Sequence, residues 1–167
     1  MSHRITLERH SLRFAAAHFA TFRGDCEPLH GHNYELMVNI KGPLQEDAWV
    51  IDFTLAKQSI AAICKELDHK FILQRNSNVL RISESETEFE IAFRQRRYVM
   101  PKADVAALPI DNSTAERLAE WLAARVWEAL AALNPALRAI TVGVEEAPGQ
   151  TGWYTLQIVD GQQAEAG

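Results

Sequence analysis

Cys26, Glu27, His30 and His32 fall within one short run, Cys26-Glu27-Pro28-Leu29-His30-Gly31-His32-Asn33-Tyr34. A thiol, a carboxylate and two imidazoles placed so close together can bind a cation and move protons. His30 and His32 are spaced i, i+2, so on a strand both rings project from one face. Gly31 between them puts no side chain on the other face. His18 lies just upstream, at the end of Phe14-Ala15-Ala16-Ala17-His18. Three imidazoles without a fourth protein ligand suit a catalytic zinc, which keeps one position open for water or substrate. The same donors accept other divalent ions. A cation near Cys26 would favour its thiolate, which makes Cys26 a candidate base or nucleophile.

The elements that must position these groups follow from periodicity. Ile5 to His18 reads as a long strand whose apolar face shifts between Leu7 and Leu12, the mark of a bulge. Phe19 to Pro28, with Gly24 and Pro28, reads as a loop that holds Cys26 over the site. Asn33 to Lys41 reads as a second strand, with Tyr34, Leu36, Val38 and Ile40 on one side, and pairing with the first strand would bring His18 to His30 and His32. A helix over Leu55 to Leu67, capped by Asp52 or Thr54, presents Leu55, Ile60, Ile63, Cys64 and Leu67 as an apolar stripe, and Asp68-His69-Lys70 follows where it ends. Val79 to Glu84 suggests an edge strand, and Thr87 to Phe93 with Arg96 to Met100 a charged hairpin turned near Arg94-Gln95. That hairpin reads as solvated, or else as a subunit contact or a clamp for a phosphorylated substrate. Ser113 and Glu116 fit a capping box ahead of a second helix with Leu118, Leu122, Val126, Leu130 and Leu133 on its apolar face. Ile140 to Glu145 and Gly152 to Val159 alternate as two closing strands, and Gly161 to Gly167 reads as a frayed polar tail. The order strands, helix, hairpin, helix, strands indicates an α+β fold with antiparallel neighbours and both helices on one face.

Composition narrows the class. The 167 residues suit one domain, and a net charge of −5 leaves no electrostatic footprint for nucleic acid. The N-terminus carries no secretory pattern and no stretch approaches a membrane span, so a reducing cytoplasm is expected. There a free Cys26 is the better reading than a Cys26–Cys64 disulfide, and Cys64 reads as an inert core residue.

FAAAH (14–18), CEPLHGHNY (26–34), VIDF (50–53), LDHK (67–70), STAE (113–116) and VGVEE (142–146) occur in that order. In this combination the chain resembles the 6-pyruvoyl-tetrahydropterin synthase / 6-carboxy-tetrahydropterin synthase family. The resemblance implies a T-fold, a four-stranded antiparallel sheet with two helices on one face, here in a single domain (1–167) with residues 75–110 as a hairpin-containing insertion. It implies a homo-oligomer, trimer or hexamer, with active sites at subunit contacts. It implies Zn²⁺ on His18, His30 and His32, Cys26 as the catalytic thiol, Asp68 and His69 as a second acid/base pair, and Glu146 as the anchor of the pterin ring, with Glu145 one position away. Thr114 and Glu116 fall in its substrate-contacting segment, where the bland role is capping. Some members carry a glutamate at the position of Glu27 and cleave dihydroneopterin for folate synthesis; this chain carries both Cys26 and Glu27.

The expectation is a zinc-dependent 6-carboxy-5,6,7,8-tetrahydropterin synthase acting on 7,8-dihydroneopterin triphosphate, in the queuosine/deazapurine pathway. The alternatives are the 6-pyruvoyl product or aldol cleavage through Glu27. From another class, a non-catalytic zinc- or pterin-binding module predicts metal binding without turnover.

Overall fold

A computed structural model describes residues 1–159, the side chain of His10 apart; the tail expected at 161–167 lies outside them. The alternating N-terminal segment forms one strand, β1 (His3–His18). Its register against the next long strand shifts between Glu8 and Arg13, at the bulge the sequence indicates. The segment expected as loop contains a two-residue ribbon, β2 (Thr21–Phe22) and β3 (Asp25–Cys26), turned through Arg23 and Gly24, both at positive φ. Two successive positive φ angles match the right-handed twist of a tight hairpin. β4 (His30–Gly42) is longer than the periodicity suggests, because the HGH segment itself is strand.

Helix α1 (Phe53–Leu67) is capped by Asp52, whose carboxylate accepts from the amides of Thr54 and Leu55 at 2.7 and 3.0 Å. It runs into β5 (Lys70–Gln74). Within the segment expected as an insertion lies a three-stranded antiparallel sheet of β6 (Arg81–Glu84), β7 (Glu88–Phe93) and β8 (Arg96–Pro101), and a single helical turn leads to β9 (Val105–Leu108). Then follow α2 (Ala115–Ala131), β10 (Ala139–Ala147) and β11 (Gln150–Gln157).

The main sheet has the order β11-β10-β4-β1-β5-β9. Its first four strands are the antiparallel T-fold sheet, and β5 and β9 extend it with parallel pairings. β5 escapes a reading by alternation because it is buried on both faces, and β9 beside it is a short, half-buried run of apolar residues that packs against a core on each side. Ile72 and Leu108 face the main core under the helices, while Phe71 and Leu73 face a second core with Phe19, Cys26, Phe89, Ile91 and Phe93. Parallel strands buried on both sides show continuous apolar runs. The hairpin of the insertion is thus not simply solvated: one face of β7 forms the lid of that second core. Among the described residues no helix is long and apolar enough to cross a membrane.

Candidate metal centre and cleft

The register of β1 against β4 builds the centre. His18 pairs with His30, and Ala16 with His32, so all three imidazoles stand on one face, continuing the row of Phe14, Tyr34 and Leu36 that fills the core. A bulge in β10 between Glu145 and Ala147 turns Glu146 onto the same spot. Donor atoms of His18, His30, His32 and Glu146 all lie within 4.8 Å of one another.

The hydrogen bonds behind the rings assign their tautomers. His18 Nδ1 lies 2.9 Å from the Ser113 carbonyl, and His30 Nδ1 lies 2.8 Å from the Pro28 carbonyl. A carbonyl only accepts, so both Nδ1 atoms carry the proton and both Nε2 atoms are left with lone pairs. Those two Nε2 atoms sit 3.2 Å apart. His18 Nε2 is also 3.1 Å, and His32 Nε2 3.3 Å, from Glu146 Oε1. His32 Nε2 is buried without a hydrogen-bond partner, although Glu146 Oε1 lies 3.3 Å away. Lone pairs converging on one point call for a cation. The contact with His18 holds the Glu146 carboxyl below its usual pKa against the opposing effect of burial, and burial drives the His32 pKa down. The residues present therefore fit a divalent ion with a three-nitrogen set, with the Glu146 carboxylate standing beside it.

A cleft of about 660 Å³ opens on this centre, lined by Glu27, His30, His32, Thr114, Glu116 and Glu146 among others. Glu27 Oε2 is 3.9 Å from His30 Nε2. Glu145, the other candidate anchor, is spent on a turn: its Oε1 accepts the Gly149 amide at 2.8 Å. Beneath the cleft, burial and the nearby Glu146 charge push the pKa of the Tyr34 phenol up. Thr114, not Ser113, caps α2, by accepting from the Arg117 amide at 3.5 Å. Ser113 is fully buried; its carbonyl accepts from His18 Nδ1, and its hydroxyl donates to the Phe19 carbonyl. Ser-x-x-Glu reads as a capping box from sequence, and a backbone carbonyl that orients a histidine leaves no sequence signal.

Two expected groups are not brought to this cleft. Cys26 points the other way, into the second core, with its Sγ 3.4 Å from the Glu27 carbonyl. Neighbouring side chains on extended backbone project to opposite sides, so Cys26 and Glu27 cannot both enter. Burial pushes the Cys26 thiol up in pKa, against the opposing pull of Arg96. Asp68 and His69 form a pair, His69 Nδ1 to Asp68 Oδ2 at 2.9 Å, with Asp68 Oδ1 accepting the Ala15 amide at 2.8 Å. They lie with Ala15, Gly31 and Asn33 on the face of β1 and β4 opposite the imidazoles.

Comparison with known proteins agrees with this geometry. Residues 6–157 match the family described as 6-pyruvoyl tetrahydropterin synthase. A Methanocaldococcus jannaschii protein, provisionally named 6-carboxy-5,6,7,8-tetrahydropterin synthase, is 33% identical over 145 residues, covering 86% of this chain and 89% of its own. The Plasmodium vivax 6-pyruvoyltetrahydropterin synthase, solved as a variant with a catalytic glutamate replaced by alanine, superposes with a TM-score of 0.88 at 33% identity over 95% of this chain and 99% of its own. The Plasmodium falciparum enzyme superposes at 0.87 with 30% identity, over 94% and 99%. By sequence along nearly its whole length, and by fold, the chain belongs to the 6-pyruvoyl tetrahydropterin synthase family.

Proposed function

We propose that the protein is a zinc-dependent lyase that cleaves the side chain of a reduced pterin, and that Glu27 is the base. The observation that carries this reading is that Glu27 lines the histidine cleft while Cys26 is turned into an apolar core. The Plasmodium vivax relative, whose catalytic residue is a glutamate, supports it. Zinc on His18, His30 and His32 would supply Lewis acidity toward the side-chain hydroxyls of the substrate. Glu27 takes the proton of the 2′-hydroxyl of 7,8-dihydroneopterin. The C1′–C2′ bond breaks, its electron pair passes into the ring, and a proton returned to C1′ gives 6-hydroxymethyl-7,8-dihydropterin with glycolaldehyde. Glu146, Thr114 and Glu116 hold the pterin, Glu146 as the acceptor for its paired N–H groups. The chain works as one catalytic domain in a homo-oligomer, a trimer or hexamer, in which Asp68 and His69 serve the cleft of a neighbouring protomer. Two free cysteines accord with a reducing cytoplasm.

A second reading is 6-carboxy-5,6,7,8-tetrahydropterin synthase on the queuosine route, with Cys26 as the base. The Methanocaldococcus jannaschii relative and the adjacency of Cys26 to Glu27 favour it. The deciding experiment is product mass from the zinc-loaded protein given dihydroneopterin or its triphosphate, for wild type, Glu27→Ala and Cys26→Ala. Hydroxymethyl-pterin lost in Glu27→Ala supports the first reading. Carboxy-pterin with acetaldehyde, lost in Cys26→Ala, replaces it with the second. Turnover of neither substrate, with metal bound, leaves a binding module.

A further inference from the structure

We propose that Arg96, in the insertion, is a positioning residue that selects which of Cys26 and Glu27 faces the cleft, and through that choice the product. The inference rests on the reading that these two side chains are alternative bases.

All four backbone polar groups of Cys26 and Glu27 are tied down. The Cys26 amide donates to Asp25 Oδ1 at 2.9 Å and the Glu27 amide to the Ala20 carbonyl at 3.0 Å. Both carbonyls go to one guanidinium: Arg96 Nη1 donates to Glu27 O at 2.8 Å, and Arg96 Nη2 donates to Cys26 O. Arg96 lies over the Phe93 ring, 5.1 Å from its centroid, and makes no ion pair among the described residues. From the same hairpin turn, Arg94 reaches Asp25 at 3.5 Å. A planar fork with two parallel donors fixes the direction of two successive carbonyls, which a single ammonium cannot reproduce. Fixing the two peptide planes that flank the Glu27 Cα fixes where Glu27 points, and the Cys26 amide held by Asp25 fixes the plane before Cys26, so both side chains are set together. Turning Cys26 toward the histidines would rotate both carbonyls away from Arg96. The insertion thereby acts on the loop it covers.

The test compares Arg96→Ala and Arg96→Lys with Arg97→Ala. Arg97 pairs with Glu90 at 2.6 Å and makes no contact with the loop, so it serves as the control. Metal-free protein is treated with iodoacetamide and Cys26 labelling is followed by peptide mass; zinc-loaded protein is assayed for the ratio of hydroxymethyl to carboxy product. In Arg96→Ala we expect Cys26 to label about tenfold faster, and the Glu27-dependent product to fall roughly 10- to 100-fold, the effect of a small displacement of a reacting group. Losing the Arg96 charge alone would slow the thiol, so acceleration reports reorientation. Arg96→Lys should fall between, and Arg97→Ala should match wild type. Unchanged labelling and product ratio in a folded Arg96→Ala protein overturn the proposal; if that variant fails to fold, unchanged labelling and product ratio in Arg96→Lys overturn it instead. If Glu27→Ala leaves every product untouched, the functional reading has failed, and labelling still judges the clamp.

Discussion

At the scale of single residues, the chemistry turns on which groups carry protons. Burial raises the Cys26 thiol, so at neutral pH the thiolate fraction is below that of a free cysteine. Cys64 is pushed up to about 12. In native protein we therefore expect iodoacetamide to label Cys26 slowly at pH 7.5, faster as the pH rises beyond 9, and to label Cys64 only on unfolding. Rapid labelling of Cys26 at neutral pH would argue for the thiol as base. The histidines make a separate prediction. Zinc should bind one per chain by calorimetry, and His32→Ala should abolish that stoichiometry. Ser113→Ala, which removes a hydroxyl 3.2 Å behind His18 Nδ1, should keep it at about tenfold weaker affinity.

At the scale of elements, the sequence carried the large features, for reasons that also mark where it stopped. Alternation from Ile5 to His18 revealed β1 and its bulge because one face is core and the other open. It failed for Lys70–Gln74 and Val105–Leu108 because each packs against a core on both sides. The three-histidine centre was legible because i, i+2 spacing survives in any strand. The choice between Cys26 and Glu27 was not, because it depends on Arg96, some seventy residues away in the chain. Packing of α2 on β11 yields a test at this scale. A Cβ on Gly152 would lie 2.5 Å from the Glu116 amide nitrogen and 2.6 Å from the Ala115 carbonyl carbon, both backbone. Gly152→Ala should cost about 1–3 kcal/mol by denaturant midpoint. It should also raise KM, since Thr114 and Glu116 line the cleft beside it.

At the scale of the whole molecule, the placement of Asp68 and His69 demands a second protomer if they act on the pterin. His69 has a side chain 83% exposed and φ of +59°, and it is held outward by Asp68, whose carboxyl the Ala15 amide and then His69 keep below its usual pKa. The pair stands on the open face of β1 and β4, with the sheet between it and the imidazoles of its own chain. A closed ring of identical subunits would carry each open face to a neighbour's cleft, repeating one contact around the axis. This makes catalysis separable by subunit. Glu27→Ala and His69→Ala proteins should each be nearly inactive alone. Dissociated together, mixed in equal amounts and reassembled, they should regain about a quarter of wild-type activity, the fraction of interfaces at which an intact Glu27 meets an intact His69 under random cyclic assembly. Activity that stays absent in a mixed oligomer, verified by mass, would show that the pair acts within its own chain. If His69→Ala alone retains full activity, the pair has no part in the chemistry, and its bond to Ala15 is the structural tether between the end of α1 and β1.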